Sequence, residues 1–121
     1  DQEALKQRMG FVCRADGLPV ATNAAWFGEF KGRIWGRIHW VATSREEQGA
    51  GISKPLLTAV CNRLLDLGHE NAYLTTNSRR LRAILLCQGF GFRADRGTRE
   101  EEETWRVVSE KAAKAGRRVE L

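Results

Sequence analysis

No apolar run in this sequence approaches the roughly 18 residues that a membrane-spanning helix needs. The first residues, Asp1, Gln2 and Glu3, are polar and charged, unlike the opening of a signal peptide. An initiator methionine is missing, which implies further residues upstream. Cysteine is scarce: Cys13, Cys61 and Cys87 are odd in number, widely spaced and form no Cys-x-x-Cys pair. That pattern argues against a disulfide framework and fits reduced thiols in a cytoplasmic protein. His39 and His69 stand far apart, without metal-ligand spacing, so no metal site is expected. A P-loop motif, internal repeats, linkers and low-complexity segments are also lacking.

What is present suits one ordinary globular domain spanning residues 1–121. Hydrophobic residues make up 42% and charged residues 29%, enough for a single core. The net charge of +5 points to an anionic partner, either nucleic acid or a phosphorylated cofactor, or else to an arginine-rich solvated surface. Charge alone does not choose among them.

Patterning along the chain gives a mixed α/β order. Residues 1–9 read as the last turns of a helix. A short strand at 9–14, the turn signal Asp16-Gly17 and a second strand at 18–27 form a hairpin. Residues 28–32 read as a loop. In the β-rich stretch 33–43, alternation places Ile34, Gly36, Ile38 and Trp40 on one face and Arg37, His39 and Val41 on the other. A polar loop at 44–51 leads into an amphipathic helix marked by Ile52, Leu56, Val60 and Leu64, with Gly68 as its stop. A strand at 72–76 follows, then Asn77 and Ser78 as caps for a helix at 79–88 that breaks at Gly89 and Gly91. The charged segment 99–115 is helix-prone, with Trp105, Val108 and Ala112 on one stripe and Trp105 as a docking anchor. Residues 116–121 read as loose. The order β-β-β-α-β-α, plus a C-terminal helix, predicts a mixed, mostly antiparallel sheet.

The junction between the strand at 33–43 and the next helix carries the most chemistry. A glycine-bearing loop there turns backbone amides along the helix dipole, which makes an anion site, or else it is a plain tight turn. Gln48-x-x-Gly51-x-Ser53 resembles the Gln/Arg-x-x-Gly-x-Gly/Ala motif of the GNAT acetyltransferases, in which an apolar strand also precedes the loop. Ala83-Ile-Leu-Leu-Cys-Gln-Gly-Phe-Gly-Phe92 is similar to the family's Ala-Ile-x-Leu-Tyr-x-x-x-Gly-Phe helix end, at the expected separation. Gly17-Leu-Pro-Val-Ala-Thr22 with Trp26, His39-Trp-Val-Ala42 and Leu74-Thr-Thr76 resemble one bacterial branch. The likeness covers roughly residues 9–93, and the family's usual N-terminal strand and helices are missing from it.

The resemblance implies a GNAT fold and transfer of an acetyl group from acetyl-CoA directly to an amine. Loop amides at Gln48, Gly49, Ala50, Gly51, Ile52 and Ser53 would take the CoA pyrophosphate. The strand before the loop splays from its neighbour, so that backbone around Val41, Ala42 and Thr43 pairs with pantetheine; Asn77 and Arg80 are further cofactor contacts. Some departures follow from the residues themselves. The family's thiolate-protonating tyrosine is Cys87 here, either a thiol proton donor or a buried helix cysteine without chemistry. Ser53 replaces a smaller residue, and Pro55 implies a late or kinked helix start. His39 is the candidate base, because it can titrate near neutrality, or it is a packed sheet residue. Arg37 stands where some relatives carry a glutamate base. Arg79, Arg80 and Arg82 could reach the CoA 3′-phosphate or an acidic acceptor, or form a solvated face.

The acceptor is then a small-molecule or peptide amine, and a homodimer is a candidate state because a missing layer leaves apolar surface. A degenerate module that binds CoA or a partner without turnover is the alternative. A nucleic-acid binder is the weaker rival, lacking interleaved aromatics or a recognised motif.

Overall fold

The computed structural model describes residues 2–48 and 51–121, apart from the side chains of Ala4, Trp40 and Glu47. Two compact units emerge, residues 1–74 and 75–121.

The first unit carries the sheet. Helix α1 (Gln2–Arg8) runs into β1 (Met9–Cys13), β2 (Pro19–Phe30) and β3 (Arg33–Thr43). A 3-10 turn (Arg45–Glu47) and helix α2 (Ser53–Asp66) lead to β4 (Ala72–Tyr73). The strand order is β1-β2-β3-β4, antiparallel except for the parallel pairing of β3 with β4. The mixed, mostly antiparallel α/β sheet expected from the pattern is present.

Two hairpins shape it. Gly17 closes the first, as its Asp-Gly signal predicts. The second departs from expectation: Gly28, Glu29 and Phe30 belong to β2, and the loop shrinks to Lys31 and Gly32. Both have positive φ, +52° and +78°, the geometry of a two-residue turn that matches the twist of its strands.

Helix α2 packs across β2 and β3. Its Leu56, Leu57, Val60 and Leu64 are buried, as are Val20, Ala21, Ala25 and Ile38 of the sheet. Fully burying each such leucine or valine contributes about 1.5–3 kcal/mol. Gly36 is also buried, and its missing side chain is what lets α2 approach: a Cβ there would lie 2.9 Å from Leu64 Cδ2 and 3.1 Å from His69 Cβ. Ile34 shares that face by alternation, as expected, but is 64% exposed near the hairpin end. The helix stops where Gly68 predicts, with the His69 N–H donating to the Leu64 carbonyl and Gly68 to Leu65.

Cations tie α1 to this face. Arg63 Nε donates to the Gln7 carbonyl (2.7 Å) and Arg8 Nη1 to that of Ala25 (3.1 Å), with the Arg8 guanidinium 4.6 Å over the Phe27 ring. Arg8 Nη1 also lies 3.2 Å from His69 Nε2. A guanidinium only donates, so that nitrogen must be the unprotonated acceptor of a neutral ring. Burial first, and the Arg8 charge second, hold His69 below its ordinary pKa. The sign follows: the unfolded chain takes up the proton first, so this contribution is present above the ordinary value near 6.5 and fades as pH falls below it. Urea midpoints are therefore expected to fall between about pH 7.5 and pH 5.5. In His69→Gln the drop should shrink, leaving the share that His39 contributes with the same sign.

The second unit holds α3 (Leu81–Gly89) and α4 (Arg99–Lys114). Ile84, Val108, Ala112 and Val119 form its core, flanked by Leu81, Leu85 and Trp105. Val119 corrects the expectation of a loose C-terminal segment: it is 7% exposed, and the Glu120 N–H donates to Gln88 Oε1. Thr98 caps α4 in a reciprocal box with Glu101. Among the described residues of both units, no helix is long and apolar enough to cross a membrane.

Candidate functional site

The strand–loop–helix junction of the first unit gathers most of the residues singled out by sequence. Strand β3 pairs with β4 only at Gly36–Ala72 and Arg37–Tyr73. Beyond Arg37 it continues for six residues to Thr43, while β4 has ended, shorter than the expected 72–76. The pairing of the two parallel strands thus ends at Arg37, and Val41, Ala42 and Thr43 lie on the part of β3 beyond it.

The antiparallel neighbour shows a second irregularity. Thr22 pairs with Ala42 and Ala24 with His39, so Asn23 alone stands opposite Trp40 and Val41. Such a bulge bends the strand and breaks the simple alternation read from sequence. Arg37 and His39 do share a face, as expected; Val41, 47% exposed, falls within the bulge. The side chain of Trp40 lies outside the described residues.

Past β3, Gln48 turns back, and its Nε2 donates to the Thr43 carbonyl at 3.2 Å. Gly49 and Ala50 lie outside the described residues. Gly51 has φ +82°, with open space where a Cβ would stand. Ile52 caps α2 and Ser53 begins it. The first intrahelical bond runs from the Leu56 N–H to the Ile52 carbonyl at 2.9 Å. Pro55 therefore sits in the first turn, where an amide has no intrahelical acceptor to lose, and the expected late or kinked start does not occur. First-turn amides and an open glycine are features that a diphosphate can use.

His39 is half-buried on β3. Burial, and secondarily the Arg37 charge, hold its pKa below the ordinary histidine value, which keeps the ring neutral and able to accept a proton at neutral pH. Arg37 occupies a row with Trp26 on β2 and Tyr73 on β4, its guanidinium 5.6 Å from the Tyr73 ring centre. Sequence alternation finds Arg37 but not this row, because Tyr73 joins it only through the short parallel pairing.

Asn77, Arg80 and Cys87 belong to the second unit. Asn77 does not cap α3, as expected of it; its Oδ1 accepts from the Arg79 N–H (2.8 Å) and its carbonyl from the Arg80 N–H (2.9 Å). Arg80 itself takes the N-cap position, with no side-chain cap bond. Arg79, Arg80 and Arg82 are exposed. The Cys87 carbonyl accepts from Phe92 (3.2 Å) while the Gln88 carbonyl accepts from Gly91 (3.0 Å), with Gly91 at φ +97°. That double bond ends the helix and explains why the Gly-Phe pair follows Cys87.

Comparison with known proteins places these observations. The family described as "Acetyltransferase (GNAT) family" matches residues 1–92. No curated protein matches the sequence. Among solved structures, an acetyltransferase from Trypanosoma brucei is 22% identical, with a TM-score of 0.61 over 81% of this chain and 72% of its own. A transcriptional regulator from Bacillus halodurans is 22% identical (TM-score 0.63; 74% and 61%). Rv2747 from Mycobacterium tuberculosis, solved with CoA, is also 22% identical (TM-score 0.61; 90% and 66%). The chain thus spans between 61% and 72% of the length of these neighbours, and the likeness establishes a shared fold.

Proposed function

The chain belongs to the acetyltransferase (GNAT) family, and on that premise we propose that it is an acyl-CoA-dependent N-acetyltransferase acting on an amine of a small molecule or peptide. One observation carries this most directly: β3 runs on past the end of its pairing with β4 at Arg37, to a loop whose Gln48 is tied back to Thr43. This supports acetyl-CoA as donor, as does the neighbour solved with CoA.

The residues present fit that group. Backbone along Val41, Ala42 and Thr43 offers amide and carbonyl groups to pantetheine. The amides of Gln48, Gly51, Ile52 and Ser53 would take the pyrophosphate, helped by the positive end of the α2 dipole, and the motif assigns Gly49 and Ala50 to the same loop. Asn77 and Arg80 are assigned to its outer part. Bound acetyl-CoA supplies an electrophilic thioester carbonyl. His39, acting directly or through water, takes the proton of the attacking amine as the new C–N bond forms. Cys87 is assigned the return of a proton to the sulfur when the C–S bond breaks, in the position of the family's tyrosine. Holding the two reactants in line is the larger part of the rate.

Calorimetric titration with acetyl-CoA, with dephospho-CoA as control, tests the donor site, followed by CoA release with an amine panel. Saturable binding is expected, weaker for dephospho-CoA if Arg80 reaches the 3′-phosphate. Gly51→Asp should weaken acetyl-CoA binding by about tenfold or more: the left-handed φ costs an L-residue roughly 1–2 kcal/mol, and a carboxylate would oppose the phosphates. Unchanged affinity in that variant would remove the loop from the cofactor site. Cys87 also favours a second reading, a CoA-binding or partner-binding module without turnover. Binding without CoA release from any amine would establish it. A homodimer and a cytoplasmic location belong to the proposal and are checked by sedimentation and fractionation.

A further inference from the structure

Helix α1 as described spans seven residues, Gln2–Arg8, fewer than the roughly 12–15 that an isolated helix needs in water. Its internal ion pair, Lys6 with Glu3 at 3.9 Å, is exposed and contributes little. Its persistence therefore depends on docking, and the polar docking contacts gather at Gln7 and Arg8. Arg63 of α2 donates to the Gln7 carbonyl, one of the terminal carbonyls that a helix leaves without an internal partner. Arg8 reaches β2, where it donates to the Ala25 carbonyl and lies over the Phe27 ring. Its contact with His69 Nε2, at 3.2 Å, is the one that a proton can remove.

The charges at this junction are cationic. Helix α1 contributes Arg8, and α2 contributes Arg63, whose charge already opposes that of Arg8. The strands contribute uncharged groups: the Ala25 carbonyl and Phe27 ring of β2, and the Gly36 backbone of β3 against His69. Asp66 and Glu70, the acids nearest to His69 in sequence, are exposed and open to screening. A neutral imidazole suits this setting because Nε2 offers Arg8 a lone pair. An imidazolium has only donors and adds a like charge.

Arg8 Nη1 serves both the Ala25 carbonyl and His69, so displacing it loosens both bonds. The junction also adjoins the candidate base. Met9, which follows Arg8, pairs with Ala24, and Ala24 pairs with His39.

We propose that His69 is a proton-operated latch on α1. With the ring neutral, Nε2 accepts from Arg8 and the end of α1 stays on β2. With the ring protonated, Arg8 is turned away, α1 leaves the sheet and Phe27 is uncovered. The undocked state takes up the proton at the ordinary histidine value, above that of the docked state. Acid therefore favours opening, and the window lies below about pH 6.5. The latch localises in α1 the loss of stability that this proton brings, and it is independent of the acetyl-transfer reading.

The test follows the full chain by NMR from about pH 7.5 to 5.5. The readouts are the His69 ring resonances, the helical Cα shifts of residues 2–8, and the exchange protection of α1 amides against those of α2. Protection is corrected for the intrinsic pH dependence of exchange. In α1 it is expected to fall about tenfold, as loss of a hydrogen bond to a charged group allows, while α2 keeps its own. The fall should share its midpoint with the His69 ring. His39 titrates in the same direction nearby, so variants assign the effect. His69→Gln, neutral throughout and still an acceptor, should hold α1 docked at the acid end. Arg8→Met removes the charge that the imidazolium would oppose, and should leave the state of α1 equal at both ends of the series. A pH response of α1 that persists in either variant would overturn the proposal. So would a His69 ring that titrates without any change in α1. Protection in α2 that falls in step with α1 would overturn it too, since the chain then opens as a whole.

Discussion

Gly36→Val is expected to destabilise the first unit by about 1–3 kcal/mol, a typical cost of overpacking. Elsewhere in a strand the same change would help, since valine is among the better strand formers and glycine among the worst. At Gly36 the neighbours decide the sign. Leu64 Cδ2, 2.9 Å from the ideal Cβ, is the end of a flexible side chain and can give way. His69 Cβ, at 3.1 Å, is anchored to the backbone by the bond that ends α2, from the His69 N–H to the Leu64 carbonyl. Moving it displaces the helix terminus and the contact with Arg8. The two γ-methyls of valine then press further into the same space. Urea unfolding should show a lower midpoint at an unchanged slope, and melting should fall by about 4–8 °C for each kcal/mol lost. A midpoint equal to that of the parent chain would mean that α2 does not approach β3 as closely as described.

Gly28 offers a contrasting case that shows why the second hairpin was harder to read. A Cβ there would come within 2.1 Å of Tyr73 Oη, so β2 needs glycine at this place because a side chain from β4 reaches across to it. From sequence, the same glycine, followed three residues later by Lys31-Gly32, signals a loop. Nothing local reports that Tyr73 requires the space, nor that Lys31 adopts a left-handed φ. By contrast, β3 and α2 were legible because their periodicity is strong and their stop signals are conventional. Leu56, Val60 and Leu64 recur on one face and are all buried. The candidate site divides along the same line. The loop motif and the alternation of Arg37 with His39 are properties of contiguous sequence. The bulge opposite Asn23, the row of Trp26, Arg37 and Tyr73, and the packing of Val119 depend on partners distant in the chain.

His39→Ala is expected to lower kcat by about 10²–10⁴, the usual contribution of a positioned acid–base group, with little change in acetyl-CoA affinity. The direction of the His39 pKa shift makes this more than a simple loss. Burial and the Arg37 charge both favour the neutral ring, so the base form persists to lower pH than in an ordinary histidine. The acid limb of kcat/KM against pH should therefore fall below about 6.5, and activity should be flat through neutrality on that side. His39→Ala should abolish that limb together with the rate. Arg37→Gln removes the second of the two causes while burial remains, so its limb should move up toward the ordinary histidine value. That movement separates a titrating base from a residue that only packs the sheet, since packing alone has no reason to follow the charge at Arg37. If His39→Ala retains the parent rate and the parent pH profile, the proton leaves by another route, and His39 is a sheet residue only.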